Sequence, residues 1–254
     1  MTFPIDFHIG SMVIASHPVF ELLAFFIGYR YFLYLKYKNN KVPLPPQSEW
    51  WIIIGAAIGA FIGSRLISGL ENPVAFFDPT TWLYFIGNQT ILGGIAGGIL
   101  GVEISKKILK VKRKTGDLFV YPLILGMIIG RIGCFLTGVK DGTVGLPSSL
   151  PWAFDQEDGI PRHPTSLYEI AFLIIVWIIV MNVEKKKTVL QGDLFSIFVF
   201  GYALFRLLEE FLKPRIPLFI GLTSIQLLGL ILVIYYSIYF YRNYQHIKKH
   251  HDHS

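Results

Sequence analysis

The chain has 254 residues, of which 53% are hydrophobic and 16% are charged, and its formal net charge is +6. The apolar residues come in long blocks separated by short polar segments, which excludes an ordinary water-soluble protein and indicates an integral membrane protein. A single cysteine excludes an internal disulfide. We expect one membrane domain over residues 1–254.

A hydropathy window of about 19 residues identifies the candidate membrane spans. In chain order they cover residues 13–35, 50–70, 84–106, 117–138, 166–183, 193–212 and 219–241. The first block is long and runs into basic residues without a small-residue cleavage site, so we expect it to remain as a helix rather than be removed as a signal peptide. The sequence therefore predicts an all-α integral membrane protein with a seven-transmembrane helical bundle.

The basic residues predict how these spans are oriented. Fifteen of the 23 Lys and Arg residues follow the first, third and fifth spans or lie in the C-terminal tail, residues 242–254. The positive-inside rule places this side in the cytoplasm and the N-terminus outside. The net charge is therefore a matter of topology: it needs no nucleic-acid partner, although the basic loops would attract anionic membrane lipids. Residues 139–165, rich in Pro, Gly and Ser, then form a small extracytoplasmic loop cap.

The predicted spans contain four arginines, and an arginine at a helix centre costs about 2.5–3.5 kcal/mol even on lenient insertion scales. They are Arg30, Arg65, Arg131 and Arg206. The first is close enough to the cytoplasmic end of its span to snorkel. The second lies near the outer end of its span, and three interpretations stay open for it: snorkelling, pairing with a buried carboxylate, or substrate contact. The fourth precedes Glu209 and Glu210 by three and four residues, which favours an intrahelical ion pair.

Arg131 differs because no acidic residue lies at helical spacing from it, within "GRIGCFLTG" at residues 130–138. Its counter-charge must come from another helix, from the outer loop or from a bound molecule. The flanking Gly130 and Gly133 leave room for a lipid headgroup or another backbone. A planar, permanently charged guanidinium suits two phosphate oxygens. The pattern favours anion binding and leaves a structural cross-helix ion pair as the alternative.

Two further stretches and one single residue indicate packing or functional roles. The glycines of "ILGGIAGGILG", residues 91–101, recur at one-turn spacing and predict close helix packing. The stretch "RHPTSLYE", residues 162–169, gathers Arg, His, Tyr and Glu where the outer loop meets the fifth span, either as solvated interface residues or as a functional cluster. Cys134, lone and buried in a span, is expected to be an apolar packing residue rather than a nucleophile.

Together, "GRIGCFLTGVKDG", "RHPTSLYE" and "GYALFRLLEEFLKP" resemble the prolipoprotein diacylglyceryl transferase family of bacterial inner membranes. The resemblance covers most of the chain, because the order of the motifs, the seven spans and the outside N-terminus all agree. It implies transfer of the diacylglyceryl group of phosphatidylglycerol to the lipobox cysteine next to the signal peptide of a preprolipoprotein. A thioether forms and glycerol phosphate is released. We expect no metal and no organic cofactor.

The resemblance also implies roles for single residues. Arg131 matches an essential arginine taken to hold the phosphatidylglycerol headgroup, and Arg206 matches a second essential arginine. Arg65 is our candidate for a third member of this phosphate clamp. The other positions that match family motifs, which we assign to substrate binding, are Gly138, Gly142, Tyr168, Glu169 and Lys213. For removal of the thiol proton we consider His163 first, then Glu210 or Glu169.

The sequence also departs from the family pattern. Leu92 stands where many members have a histidine before the third-span glycine pair. Cys134 and Thr137 replace signature asparagines, Val139 replaces a glutamate, and Glu21 stands at the first-span tyrosine. These departures leave two alternatives to the transferase: a transporter or flippase of an anionic lipid or solute, and a lipid-binding paralogue without catalysis. The lack of an internal repeat argues against transport.

Overall fold

The computed structural model describes residues 3–10, 12–38, 45–72, 88–186, 189–214, 217–218 and 220–251. Within these ranges there are seven α-helices, in the order of the predicted spans. They are α1 Ser16–Lys38, α2 Pro46–Gly69, α3 Ile91–Ile108, α4 Val120–Thr137, α5 Thr165–Glu184, α6 Asp193–Glu209 and α7 Ser224–His251. Short 3-10 turns adjoin α4 and α6, at Gly116–Phe119, Gly138–Asp141 and Glu210–Leu212.

Of the described helical segments, five are long and apolar enough to cross a membrane. They are Ser16–Lys38, Gln47–Gly69, Gly116–Lys140, Thr165–Glu184 and Ser224–Gln245. The prediction of an all-α, multi-pass membrane protein is confirmed. The beginning of the third predicted span, residues 84–87, lies outside the described residues, as do residue 219 of the seventh and residues 252–254 of the tail.

Helix ends differ from the predicted spans where local hydrogen bonds set them. The side chain of Thr90 accepts a hydrogen bond from the Gly93 N–H at 3.3 Å and so fixes the first turn of α3. Thr223 and Gln226 cap α7 reciprocally, each side chain accepting from the other's backbone N–H, at 3.2 and 3.1 Å. A short antiparallel hairpin before α1, Phe7–Ile9 with Met12–Ile14, was not predicted, because three residues per strand give no usable periodicity.

The chain divides into two compact units. Unit 1 is Met1–Pro43, Lys114–Phe198 and Glu209–Pro214, and unit 2 is Leu44–Arg113, Val199–Leu208 and Arg215–Ser254. In unit 1, α4 packs against both α1 and α5. The ring of Phe32 on α1 stacks on Phe119 with centroids 4.5 Å apart, next to the fully buried Val120 and Ile124. The oxygens of Asp117 accept from the N–H groups at the start of α6. A single membrane domain over the whole chain stays a prediction.

In unit 2, α2 and α3 pack through glycines. A Cβ at Gly97 would collide with the carbonyl oxygen of Gly59, and a Cβ at Gly59 with that of Gly97. The two backbones therefore approach closely, as small residues allow in membrane helices. This confirms the packing role predicted for the stretch at residues 91–101. At the N-terminal end of α3, the Thr90 N–H donates to the Ser64 carbonyl at 3.2 Å.

Candidate active site

The centre of unit 1 holds a buried ion pair between two helices. Arg131 lies near the C-terminal end of α4, and its Nε is 2.8 Å from Oε2 of Glu169, near the start of α5. The side chains are 9% and 0% exposed. The sequence left three sources open for the counter-charge of Arg131. The structure provides one of them, a carboxylate on another helix. Burying both charges is costly, so removing either partner would leave the other charge poorly compensated.

A second group of polar side chains surrounds the same turn of α4. Nη1 of Arg131 donates to the sulfur of Cys134 at 3.5 Å, and that sulfur lies 3.8 Å from Nδ1 of His17. The sequence predicts that Cys134 is an apolar packing residue rather than a nucleophile. The sulfur is indeed buried, but it also serves as a weak acceptor beside the arginine. Because His17 lies on another helix, sequence spacing gave no signal for this contact.

His163 and Tyr168, both half-buried, meet where the loop joins α5. Nδ1 of His163 is 3.1 Å from the hydroxyl oxygen of Tyr168, and the rings are edge to face with centroids 6.0 Å apart. Nε1 of Trp152 donates to the same oxygen at 2.8 Å. The structure thus brings together two sequence-predicted site residues and adds a third, Trp152, which sequence reasoning missed.

The loop at residues 139–165 is held in place by backbone hydrogen bonds. Leu146 accepts from the His163 N–H at 3.1 Å and donates its own N–H to Leu212 at 2.7 Å. The hydroxyl of Thr165 donates to the Thr143 carbonyl at 2.7 Å. A Cβ at Gly145 would lie 2.6 Å from Cβ of His163 and would also collide with its carbonyl oxygen. The histidine backbone is therefore fixed on more than one side.

Within this loop, Arg162 donates two hydrogen bonds to Oδ2 of Asp158, at 2.7 and 3.0 Å. These bonds lower the pKa of Asp158 below its ordinary 3.8, although desolvation opposes them. A lowered carboxyl pKa stabilises the fold at a pH above the ordinary value, and this stabilisation disappears as the pH falls through the lowered pKa.

We therefore expect Asp158→Asn to raise amide exchange at Ile160 and Arg162 by up to about fivefold at pH 5–7, the effect of losing an exposed ion pair. The ratio of variant to wild type should approach one at a pH below the pKa of Asp158. Hydrogen exchange of both proteins at matched pH values checks this. Asp155→Asn, which alters another aspartate of the same loop, is the control. A ratio that does not depend on pH would contradict the role of the ion pair.

Gly138 and Gly142 have positive φ angles of 68° and 72°, which side-chain-bearing residues rarely adopt. The first ends α4, and the second ends the following 3-10 turn. Each glycine thus has a conformational reason for its position, and substrate binding by either stays a prediction.

Two buried glutamates stand where α6 ends and the following 3-10 turn begins. Oε2 of Glu209 accepts from Nζ of Lys213 at 3.1 Å, and Glu210 is 4% exposed. The intrahelical pairing of Arg206 with either glutamate stays a prediction. So does the substrate contact of Lys213.

Unit 2 holds the remaining predicted site residues. Arg65 donates from Nη1 to Oγ of Ser64 at 3.0 Å and to Oε1 of Gln89 at 3.5 Å, and its guanidinium carbon lies 4.0 Å from the centroid of the Phe61 ring. Arg206 is buried within α6 at 6% exposure. In the described part of α3, Leu92 is fully buried next to the glycine interface.

Comparison with known proteins shows the family of the chain. A family model described as prolipoprotein diacylglyceryl transferase matches residues 4–242. The phosphatidylglycerol–prolipoprotein diacylglyceryl transferase of Legionella pneumophila strain Paris is 31% identical over 227 residues, 83% of this chain and 84% of the relative. The protein of that name from Chlorobaculum tepidum is 30% identical over 228 residues, 83% and 78% of the two chains. That from Proteus mirabilis is 28% identical over 269 residues, 91% and 88%.

The matched stretch includes the ion pair of α4 and α5, the whole loop at residues 139–165, and the arginines of α2 and α6. The chain belongs to the prolipoprotein diacylglyceryl transferase family.

Proposed function

We propose that this protein transfers the diacylglyceryl group of phosphatidylglycerol to the lipobox cysteine of a preprolipoprotein. The observation that carries the proposal is Arg131, a buried guanidinium held by a carboxylate from a second helix, in a chain of this family. A permanently charged, buried donor close to an outer loop is suited to a phosphate headgroup at the membrane surface.

The reaction forms one bond and breaks one. The sulfur of the acceptor cysteine attacks the glycerol carbon of the diacylglyceryl group, and a carbon–sulfur bond forms. The carbon–oxygen bond to the phosphate breaks, its electron pair stays on the phosphate oxygen, and glycerol phosphate leaves. The thiol proton passes to a base, because the thiolate is the reactive nucleophile.

We assign the phosphate to Arg131 and Arg206, with Arg65 as a third candidate. Negative charge gathers on the leaving phosphate, and fixed donors in a poorly solvated site stabilise such charge more than water does. Both side chains of the Arg131–Glu169 pair are buried, so the guanidinium has little freedom to move during the reaction.

We assign the proton transfer to His163, because an imidazole ring can both accept and donate a proton. Its ring is engaged by Tyr168 through Nδ1. Glu210 or Glu169 is the alternative base; Oε2 of Glu169 lies 2.8 Å from Nε of Arg131. Tyr168 and Lys213 complete the proposed substrate-binding set, with Gly138 and Gly142 shaping the loop.

The proposed setting is the bacterial cytoplasmic membrane, with the N-terminus outside and the C-terminus in the cytoplasm. The loop at residues 139–165 then faces the side on which a translocated preprolipoprotein presents its lipobox cysteine. Phosphatidylglycerol would enter the site from the lipid bilayer.

Liposomes with doubly labelled phosphatidylglycerol test this proposal. One label marks the diacylglyceryl group and a second marks the headgroup glycerol, and a lipobox peptide serves as acceptor. We expect the first label in the peptide and the second in released glycerol phosphate. Movement of intact lipid between leaflets without label in the peptide would contradict the proposal in favour of transport. Lipid binding without either event would contradict it in favour of a non-catalytic paralogue.

A further inference from the structure

Three side chains of unit 1 form a continuous hydrogen-bonded chain that the assignment above uses only in part. Trp152 comes from the middle of the loop at residues 139–165, His163 from its end, and Tyr168 from the first turn of α5. The phenol oxygen of Tyr168 receives the indole N–H at 2.8 Å and lies 3.1 Å from Nδ1 of His163. Trp152 lies outside the three motifs that resemble the family, "GRIGCFLTGVKDG", "RHPTSLYE" and "GYALFRLLEEFLKP".

The donor properties of the three groups restrict what this chain can do. The indole N–H of Trp152 is only a donor, so the phenol oxygen of Tyr168 must accept from it. That oxygen can still donate to, or accept from, Nδ1 of His163. If Nδ1 carries the hydrogen and donates it to that oxygen, Nε2 is unprotonated and can accept the thiol proton; if the phenol donates to Nδ1, the neutral ring carries its hydrogen on Nε2 and cannot. Proton transfer to Nε2 therefore uses the first arrangement, in which the phenol oxygen accepts from both Trp152 and His163. The nitrogen that is bound determines the role of the other.

The Trp152 side chain is restrained by its hydrogen bond more than by burial. Trp152 is 57% exposed, so burial constrains it less than it constrains a core residue. Its bond to Tyr168 is therefore a specific restraint on the phenol oxygen, supplied from a loop whose backbone also fixes His163 through Leu146. Without that bond, the phenol oxygen would lose one of the two hydrogen bonds that locate it.

We propose that Trp152 is a positioning residue for His163: its bond to Tyr168 fixes the phenol oxygen that engages Nδ1, so that Nε2 is presented for proton transfer. This inference rests on the proposed function, since it takes His163 as the base. Trp152 itself touches neither the acceptor thiol nor the lipid in this scheme.

The test compares Trp152→Phe with Trp50→Phe. Trp50 lies on α2 and is 58% exposed, which matches Trp152 closely. We expect Trp152→Phe to lower kcat about five- to tenfold, the effect of one lost hydrogen bond, without changing KM for phosphatidylglycerol. Trp152→His, which restores a ring N–H, should recover part of the rate. Trp50→Phe should behave as wild type.

Nitrogen-15 spectra of histidine-labelled protein give a readout that does not depend on turnover. The His163 signals, assigned by their loss in His163→Gln, should shift in Trp152→Phe towards those of an imidazole exchanging freely between its tautomers. They should stay unchanged in Trp50→Phe. This change reports the geometry of the ring even in a protein without activity.

The outcomes separate the two proposals. Shifted His163 signals together with a lowered kcat support positioning by Trp152. Shifted signals in a preparation whose wild type is inactive also support it, while contradicting the proposed function. A lowered kcat with unchanged His163 signals would overturn the inference, because an indole that merely anchors the loop at the membrane interface gives that result. Unchanged signals with unchanged kcat would overturn it as well.

Discussion

Replacing Arg131 with glutamine should lower kcat/KM for phosphatidylglycerol at least about 100-fold, the usual loss when one fixed donor to a developing negative charge is removed. The side chain is buried on α4 and already oriented by Glu169, so a neutral amide cannot replace the charge. Lysine should restore little activity, because a point charge on a flexible stem does not reproduce a planar pair of donors.

The same substitution should also destabilise the protein, and this effect has to be separated from catalysis. Glu169 is fully buried, and leaving it without the guanidinium costs about 3–5 kcal/mol in comparable buried pairs. The double variant Arg131→Gln with Glu169→Gln removes both charges. We expect it to regain most of the lost thermal stability while staying inactive.

Activity and thermal unfolding of wild type, both single variants and the double variant measure these effects together. Glu169→Gln alone should retain more activity than Arg131→Gln, since the guanidinium is still present but less well oriented. A double variant with wild-type turnover would contradict the assignment of Arg131 to the phosphate. It would leave the ion pair as a structural contact between α4 and α5.

Replacing Gly97 with alanine should produce a large loss of stability in unit 2. The added methyl group would collide with the carbonyl oxygen of Gly59, and backbone cannot move aside as the end of a flexible side chain can. Overpacking of this kind costs about 1–3 kcal/mol and sometimes more. We expect a lowered midpoint of thermal unfolding in detergent, or a failure to obtain monodisperse protein.

Gly98→Ala is the matched control. It is the next residue of α3, and its Cβ would meet the Ala56 carbonyl oxygen at 3.6 Å and Cβ of Ala60 at 3.7 Å, both ordinary contacts. Alanine also favours a helix over glycine by about 1 kcal/mol, so this variant should be as stable as wild type or more so. Equal unfolding midpoints for the two variants would show that α2 and α3 do not pack through Gly97.

Much of the fold could be predicted because membrane helices have a clear local signal, a long block of apolar residues. Long apolar blocks predicted the helices, and one-turn glycine spacing predicted how α3 packs. The beginning of α7 also had a local signal that was missed, since Thr223 and Gln226 stand at the spacing of a capping box. The hairpin before α1 had none, because its strands are too short for alternation to be read.

The site was predictable only where one motif contains both partners. "RHPTSLYE" carries His163 and Tyr168 together, and the structure joins them. The partner of Arg131 could not be derived in the same way, because Glu169 lies on another helix and nothing local links the two residues. Trp152 had no signal either, since its contact with Tyr168 depends on how the whole loop folds back on α5.

The most direct test of the central claim uses the purified protein in detergent with phosphatidylglycerol and a lipobox peptide. Intact mass of the peptide and released glycerol phosphate are measured in the same reaction. We predict a mass gain of one diacylglyceryl group, with one glycerol phosphate released for each modified peptide. This result would also show that the reaction proceeds with a buried leucine at position 92. Well-folded protein that yields neither product would contradict the transferase assignment.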